Sequence, residues 1–428
     1  MSARNRTTSR SRLLSLGLAG LTVTALAVSG CAGREAEAPD AGGPSADVAQ
    51  CDPGFTDTEV KIGNSIPLAG AAAAYGAIAQ TMKAYFDDIN ADGGLEFADG
   101  AKRDVTITII DDGYDPAKTA ANVRTLVEQE QVFALAGVLG TGAAISVAPY
   151  VEEQGVPNLF TGTGSDAILT LHEGDPWTTG FMPQYGFEVK ALAEYIVAEH
   201  PGAKAAILYQ NDDFGESIRA GFEKAFEGTD VEIIAAESYE LTSASVDSQV
   251  TSLAASGADV FLDWAVGAFA TQSLKKKLEL GWDATTVINA PAADATFFLK
   301  PAGPGAADGV VSVAYTKDIT DPSLAGDAGF DAWTEFAAAH PDEVNALSAP
   351  AAAGYQTAQL LEAALQQMEG CTRQALLEAA NSFDGLELDL APVSVSTAPD
   401  YPYVFREIGV QVFNGENWDL TEGTYTVD

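Results

Sequence analysis

Short apolar runs alternate with amphipathic stretches along most of the chain. Apolar or β-branched runs of four to eight residues predict strands, and apolar positions at three- and four-residue spacing predict helices. A first series has strands at 60–67, 105–112, 132–137 and 156–160, with helices at 75–90, 116–130 and from the loop after 137 to 153. Asp115 directly precedes Pro116, a combination typical of a helix start. This βαβ alternation predicts a parallel sheet with helices on both faces.

A second series of the same kind begins near Tyr185. It predicts helices at 187–199, 214–226, 246–256 and 269–280, and strands at 205–210, 231–237, 259–265 and 285–290. The pattern then returns to that of the first series. It predicts a strand-like run at 309–315 and helices near 330–339, 349–368 and 373–380. Residues 386–418 alternate as antiparallel strands do.

The predicted fold class is therefore α/β, with two doubly wound (Rossmann-like) lobes joined by crossover hinge strands. We expect residues 55–180 and 310–384 in lobe 1, and residues 181–309 and 385–428 in lobe 2. Ligands of such sheets bind beyond the carboxyl ends of the strands, so a cleft between the lobes is the expected site.

The N-terminal pattern is that of an export signal. Four arginines precede an apolar stretch at 13–28, which ends in the small residues of VSGC. This predicts a lipoprotein signal peptide at 1–30, with lipid attached to Cys31. A transmembrane anchor is the alternative, but about 16 apolar residues are short for a span. Residues 31–54 are expected to form a lipidated tether that holds the protein on the outer face of the cell membrane, because Ala, Gly, Pro and acidic residues without periodicity favour disorder.

The net charge of −39 limits the classes of partner that the protein is expected to bind. It argues against nucleic acid and against anionic membrane surfaces as partners. An acidic ligand would gain no long-range attraction and would need a local positive site. Solubility or adaptation to salt explains the acidity without any ligand. We expect a monomer.

Cysteine and histidine usage narrows the chemistry further. Once Cys31 carries lipid, Cys51 and Cys371 remain, and an even pair in an exported protein favours a disulfide over two unrelated thiols. His172, His200 and His340 are scattered, so a transition-metal site is not expected. The acidic pairs at 111–112 and 212–213 have no nucleophile or histidine beside them, and helix capping explains them better than catalysis. We expect neither an enzyme nor a cofactor.

Two glycine-containing loops follow successive strands of the first series. The first is GVLGTG at 137–142, and the second is FTGTGSD at 160–166. The first departs from the dinucleotide fingerprint, which has a third glycine and opens the βαβ unit. Together the loops are able to converge on one carboxylate with hydroxyl and backbone donors. Ordinary tight turns are the alternative for each loop.

The order of several segments resembles one known family. Five segments are similar in order and spacing to segments of the leucine/isoleucine/valine-binding-protein family. They are VKIGNSIPLAGAAAAYG, DINADGGL, IIDDGYDPAKTAANVRTLVEQEQVFALAGVLGTG, VAPYVEEQGVPNLFTGTGSD and LYQNDDFGES. The resemblance runs from about Thr56 to the C-terminus. It implies the type I periplasmic-binding-protein fold and a substrate-binding protein of an ABC importer, with a small carboxylate ligand and ABC permease subunits as partners.

The resemblance also implies roles for individual residues. Tyr75 and Phe214 match aromatic positions that flank and cover the ligand, and Trp264 lies in the segment 264–266 that contributes another aromatic wall. Thr141 matches a hydroxyl residue that binds the ligand carboxylate, with Gly142 beside it. Gly162 and Gly164 match the contacts to the polar head, and Thr163 is the alternative source of a hydroxyl there. Tyr185, at the entry to the second lobe, either faces the cleft or packs at the hinge.

One position departs from the family pattern. Amino-acid binders of this family carry a carboxylate after the strand equivalent to 285–290, where it pairs with the ligand ammonium. This chain reads NAPAAD there, with Pro291 near the expected acid. Asp263 and Asp294 are the candidates to replace it. A branched-chain or related amino acid therefore stays the first expectation for the ligand, with an aromatic or aliphatic carboxylic acid as the alternative. A ligand sensor of the same fold is the alternative to an import receptor.

Overall fold

The computed structural model describes residues 51–170 and 176–427. The predicted signal peptide, Cys31, nearly all of the predicted tether and His172 lie outside the described residues. Within the described part of the chain, no helix is both long and apolar enough to cross a membrane.

The first sheet has six strands in the order β2-β3-β1-β4-β5-β6. All neighbours are parallel except the short edge pair β2 and β3. The strands are β1 (Glu59–Ile66), β2 (Leu95–Glu96), β3 (Lys102–Asp111), β4 (Ala134–Ala136), β5 (Asn158–Thr161) and β6 (Thr178–Gly180). The helices between them are α1 (Ala77–Ala91), α2 (Pro116–Glu128), α3 (Thr141–Gln154) and α4 (Ala167–Thr170).

The second sheet has seven strands in the order β13-β12-β11-β10-β9-β7-β8. Its strands are β7 (Lys204–Gln210), β8 (Glu232–Tyr239), β9 (Val260–Trp264), β10 (Thr285–Ile288), β11 (Val311–Ala314), β12 (Glu407–Phe413) and β13 (Trp418–Thr426). Helices α5 (Tyr185–Glu199), α6 (Asp213–Ala225), α7 (Asp247–Ala255) and α8 (Ala268–Leu280) accompany it. The later helices are α9 (Ala328–Ala339), α10 (Ala349–Gln367) and α11 (Arg373–Ala380), and α10 packs along α1. The two-lobed α/β fold class is thus confirmed.

The C-terminal part differs from the sequence expectation in two places. Strand β11, expected to begin the return to the first lobe, pairs with β10 and β12 in the second sheet. Between 386 and 406 the expected antiparallel strands reduce to isolated bridges such as Leu386 with Val395. Both differences have one cause: an apolar or alternating run indicates which residues are buried but does not select the strand that will pair with it.

The beginning of the described chain is attached to its late helices. Cys51 and Cys371 form the disulfide favoured by the cysteine count. Beside it, the Asp52 amide donates to the Cys371 carbonyl, and the Arg373 amide donates to the Asp52 carboxylate. The Arg373 guanidinium also donates to the carbonyls of Val132 and Phe133, just before β4. These bonds join three segments that are far apart in sequence.

Candidate functional site

A cavity of about 690 Å³, its mouth included, lies where the loops of the two sheets meet. Its walls include residues that follow strands of both sheets: Leu139, Gly162, Val266, Pro291 and Tyr315. Loops at the carboxyl ends of strands are the usual ligand site of open α/β sheets. The cavity therefore occupies the place predicted for the cleft.

The cavity walls are apolar, with tyrosine hydroxyls as their main polar groups. Tyr75, Tyr114, Tyr185 and Tyr315 line it, and within residues 51–170 and 176–427 no Asp, Glu, Lys, Arg or His side chain does so. Burial raises the pKa of all four phenols, that of Tyr185 to about 12, so each stays neutral near pH 7. Such a site favours a solute with a large apolar part and few polar groups.

A chain of hydroxyl groups backs one end of the cavity. The Thr141 and Thr163 hydroxyl oxygens lie 2.9 Å apart, and the Thr163 hydroxyl donates to the Tyr185 hydroxyl oxygen at 3.4 Å. Thr141 is the first residue of α3, whose N-terminal amides and dipole favour negative charge nearby. Of the three hydroxyl groups, only that of Tyr185 belongs to a residue that lines the cavity.

The start of α3 depends on a glycine beneath an aromatic ring. Gly140 has a φ of 106°, and a β-carbon there would lie 2.9 Å from a ring carbon of Tyr114. A side chain at Gly140 would displace the Tyr114 ring from the cavity wall. The glycine of the first loop is thus explained by the close approach of a tyrosine.

Tyr75 joins the loops of the two sheets across the cleft. Its hydroxyl accepts from the Gly267 amide at 3.1 Å and donates to the Pro291 carbonyl at 3.2 Å. The Ala268 amide also donates to the Ala71 carbonyl. The aromatic ring of Tyr75 lines the cavity while its hydroxyl is fully used in binding the second-sheet loops. The lobes are therefore in contact, as in a closed form.

We expect Tyr75→Phe to favour the open arrangement of the lobes. The variant keeps the ring in the wall but loses two hydrogen bonds across the cleft, each worth about 1 kcal/mol. Small-angle X-ray scattering should give a larger radius of gyration than for the wild type, and affinity for a bound solute should fall by roughly 30-fold. Tyr195→Phe, outside the cavity walls, is the matched control. An unchanged radius together with an unchanged affinity would contradict this role.

The predicted site residues separate into three groups. Tyr75, Gly162, Tyr185 and Phe214 line the cavity directly, and the rings of Tyr185 and Phe214 pack with centroids 5.4 Å apart. Thr141 and Thr163 lie behind Tyr185 through the hydroxyl chain. The third group, Gly142, Gly164 and Trp264, does not line this cavity.

Each residue of the third group has a different position. Gly142 lines a neighbouring cavity with Asp212. A β-carbon on Gly164 would lie 2.0 Å from the Pro183 carbonyl oxygen, so close packing explains that glycine. Trp264 is fully buried inside β9, with its ring against Phe222. Helices cover both faces of that strand, and the cleft begins only after its end, where Val266 lines the wall in its place.

Asp263 and Asp294, the two acidic residues considered as partners for a ligand ammonium, already accept hydrogen bonds from other groups of the protein. Asp263 accepts from the Ala265 amide and the Ser273 hydroxyl, and it does not line the cavity. Asp294 accepts from the amides of Thr296, Phe297 and Ala349, and so caps a short helical turn. Both carboxylates are therefore already occupied by amide and hydroxyl donors of the protein.

Three residues beside the cavity were missed by sequence reasoning. Tyr114 adopts a φ of 64° in the DDGYDP turn, and Tyr315 follows β11 directly. Glu188 is fully buried on α5, and its carboxylate accepts from the Ala290 amide at 3.1 Å. The available signal was a single acidic residue among the apolar positions of α5, which periodicity alone does not distinguish from a surface position.

No group of three or more potential metal ligands occurs within residues 51–170 and 176–427. His340, one of the scattered histidines, pairs with Asp88 on the surface at 2.8 Å. The geometry of the site is that of a binding cavity built from tyrosines, glycines and aliphatic side chains.

Comparison with known proteins adds a family match. A family model described as periplasmic binding protein matches residues 59–401. A curated protein, Leu/Ile/Val-binding protein homolog 7 of Brucella suis biovar 1 (strain 1330), is 23% identical over 270 residues. That similarity spans 61% of this chain and 65% of the length of the Brucella protein.

Several solved structures share the fold. A fatty acid ABC transporter substrate-binding protein from Thermomonospora curvata has a TM-score of 0.74 at 19% identity, covering 89% of this chain and 95% of its own. A branched chain amino acid ABC transporter from Thermus thermophilus with bound valine has a TM-score of 0.75 at 16% identity, covering 86% and 97%. A solute binding protein of an ABC transporter from Rhodopseudomonas palustris BisB5, in complex with 3,4-dihydroxy benzoic acid, has a TM-score of 0.71 at 19% identity, covering 87% and 98%.

Proposed function

The chain belongs to the periplasmic-binding-protein family, and on that premise we propose that it is the exported solute receptor of an ABC importer. Its two lobes close over a small, largely apolar carboxylate and deliver it to membrane permease subunits. The lipid on Cys31 and the tether after it would keep the folded part near those subunits. In this proposal the lobes follow the predicted boundaries, with β11 moved to the second lobe.

One observation carries the proposal: an uncharged, tyrosine-lined cavity at the meeting of two sheets, with the hydroxyl chain of Thr141, Thr163 and Tyr185 at one end. The apolar walls would bury the body of the solute, and the hydroxyl chain at the start of α3 would hold its acid group. Phe214 would cover the solute from the second lobe.

The ligand we propose first is a branched-chain or related amino acid. The names of the Brucella and Thermus relatives accord with that class. An aromatic or aliphatic carboxylic acid is the second candidate, favoured by Pro291 at the place expected for the ammonium partner. The Thermomonospora and Rhodopseudomonas proteins bear names of that second class.

A thermal-shift screen with paired amino acids and carboxylic acids tests the proposal. A solute present at 100 times its dissociation constant should stabilise the protein by about 2.7 kcal/mol. Phe214→Ala should then weaken the best solute by tens of fold, because one wall of apolar contact is lost, while Phe214→Leu should retain most of the affinity. Unchanged affinity in Phe214→Ala would remove this cavity from the proposed site.

A further inference from the structure

A second cavity lies beside helix α10 and adjoins the cavity between the sheets. This α10 cavity and the first cavity share five wall residues: Phe181, Ala290, Tyr315, Ala349 and Ala353. The rings of Phe181 and Tyr315 both pack against Phe405, with centroids 5.3 and 4.8 Å away. The two large side chains of the shared boundary therefore lie together, and alanines form the rest of it. A solute that outgrows the first cavity would extend past these alanines.

Gln356 on α10 lines the α10 cavity and is buried without a partner. Its relative exposure is 0%, and neither Nε2 nor Oε1 has a hydrogen-bond partner among the described residues. Ala349, Ala353 and Gln356 share one face of α10, because they are four and three residues apart. At 1.5 Å per residue, Gln356 is about 4.5 Å further along the helix than Ala353. The amide therefore lies just beyond the boundary that the two cavities share.

The charged side chains that line the α10 cavity already bind other parts of the protein. Lys317 donates to the Asp327 carboxylate at 2.6 Å, and Asp318 accepts from a backbone amide at 2.9 Å. Asp294 accepts from three backbone amides. A buried amide that uses neither its donor nor its acceptor is costly. Gln356 therefore needs a partner that the described residues do not supply.

The donor and the acceptor of one amide together restrict the chemistry of that partner. A carboxylate only accepts and would leave Oε1 of Gln356 unused, and an ammonium group only donates and would leave Nε2 unused. A hydroxyl or a carboxamide group both donates and accepts, so either one satisfies the whole amide. Water has the same two properties, and a solute hydroxyl that replaces a water molecule there reproduces its hydrogen bonds.

Building on the proposed function, we propose that the α10 cavity is a second subsite, in which Gln356 binds a hydroxyl or carboxamide group at the far end of the solute. The solute is then an elongated carboxylate. Its acid end lies in the first cavity, its apolar body passes the alanines of the boundary, and its uncharged polar end reaches the amide. The subsite selects among solutes, because an analogue without the distal group leaves the buried amide unpaired.

Two pairs of probes that differ only in a distal hydroxyl group test the subsite on the intact protein. The pairs are L-tyrosine with L-phenylalanine, and 8-hydroxyoctanoate with octanoate, so both proposed ligand classes are represented. For at least one pair, calorimetry should give the hydroxylated probe an affinity at least tenfold higher. Gln356→Met, which keeps the side-chain length without the amide, should lower the affinity of that probe at least tenfold and leave its partner within about threefold. Gln366→Met, exposed on the same helix, should change neither.

The possible results separate this inference from the function on which it rests. Wild-type protein that binds the plain probes as tightly as the hydroxylated ones would overturn the second subsite and leave the proposed receptor intact. A preference that persists in Gln356→Met, shown to be folded by its thermal transition, would also overturn it and leave the amide to water alone. If Gln356→Met does not fold, Gln356→Asn, which withdraws the amide by one methylene group, should show the same loss of preference. If none of the four probes binds, both the inference and the proposed ligand class fail.

Discussion

Replacing both Cys51 and Cys371 with serine should produce a very large loss of stability. The disulfide connects residues 320 positions apart, so it closes nearly the whole described chain into one loop. The loop-closure relation gives about 6 kcal/mol for a loop of that length at 25 °C, and measured losses from native disulfides are typically 2–5 kcal/mol. We expect the free energy of unfolding to fall by at least 2 kcal/mol in urea titrations.

Treating both proteins with a reductant provides an internal control for this experiment. Reduction should lower the urea midpoint of the wild type toward that of the double variant and leave the variant unchanged. Asp52 and Arg373 keep their hydrogen bonds around the site in both proteins, so the difference reports the covalent link. Equal midpoints for the oxidised wild type and the variant would show that these polar contacts alone fasten the chain ends.

Glu188→Gln should make the protein more stable than the wild type, and by an amount that increases with pH. Burial raises the folded-state pKa of Glu188 from 4.5 to about 7. Below pH 4.5 the side chain is protonated in both folded and unfolded protein and carries no penalty. Between pH 4.5 and 7 the unfolded chain loses the proton while the folded protein retains it, so the wild type loses stability as pH rises. The total penalty is about 3 kcal/mol above pH 7.

Paired unfolding measurements at pH 4 and pH 8 isolate this effect. The difference in unfolding free energy between Glu188→Gln and the wild type should grow by about 3 kcal/mol from pH 4 to pH 8. Asp263, whose pKa is also raised to about 7, contributes equally to both proteins and cancels from the difference. Glu194→Gln, exposed on the same helix, should show no such growth. A difference that stays constant with pH would mean that Glu188 is ionised in the folded protein.

Much of the fold could be predicted from the local pattern of apolar and polar residues. The strands and helices predicted through residue 290 occur in the structure with ends shifted by a few residues. Asp115 caps α2 and Asp212 caps α6, as expected from acids that precede helical spacing. These features depend on neighbours within four residues, and such neighbours are visible in the sequence.

The residues of the candidate site could be predicted from the sequence only in part. Tyr75, Gly162 and Phe214 reach the cavity from positions that the family resemblance indicated, and Tyr185 reaches it from the point where the chain enters the second lobe. Trp264 does not, because it is the last residue of β9 and its ring packs in the core against Phe222. Glu188 was missed because an acid at a helical position looks like a surface residue until the segment after β10 is placed over it.

By itself, the sequence determined the kinds of elements, their order and the cysteine pair available for a disulfide. These follow from periodicity, composition and turn chemistry, which act over a few residues or over the whole chain. Only the tertiary structure decided that β11 joins the second sheet, that Val266 and not Trp264 lines the cleft, and that one oxygen of Glu188 is buried without a partner. The physical reason is that spacing specifies whether a side chain is buried, whereas its partners depend on segments that folding brings together from hundreds of residues away.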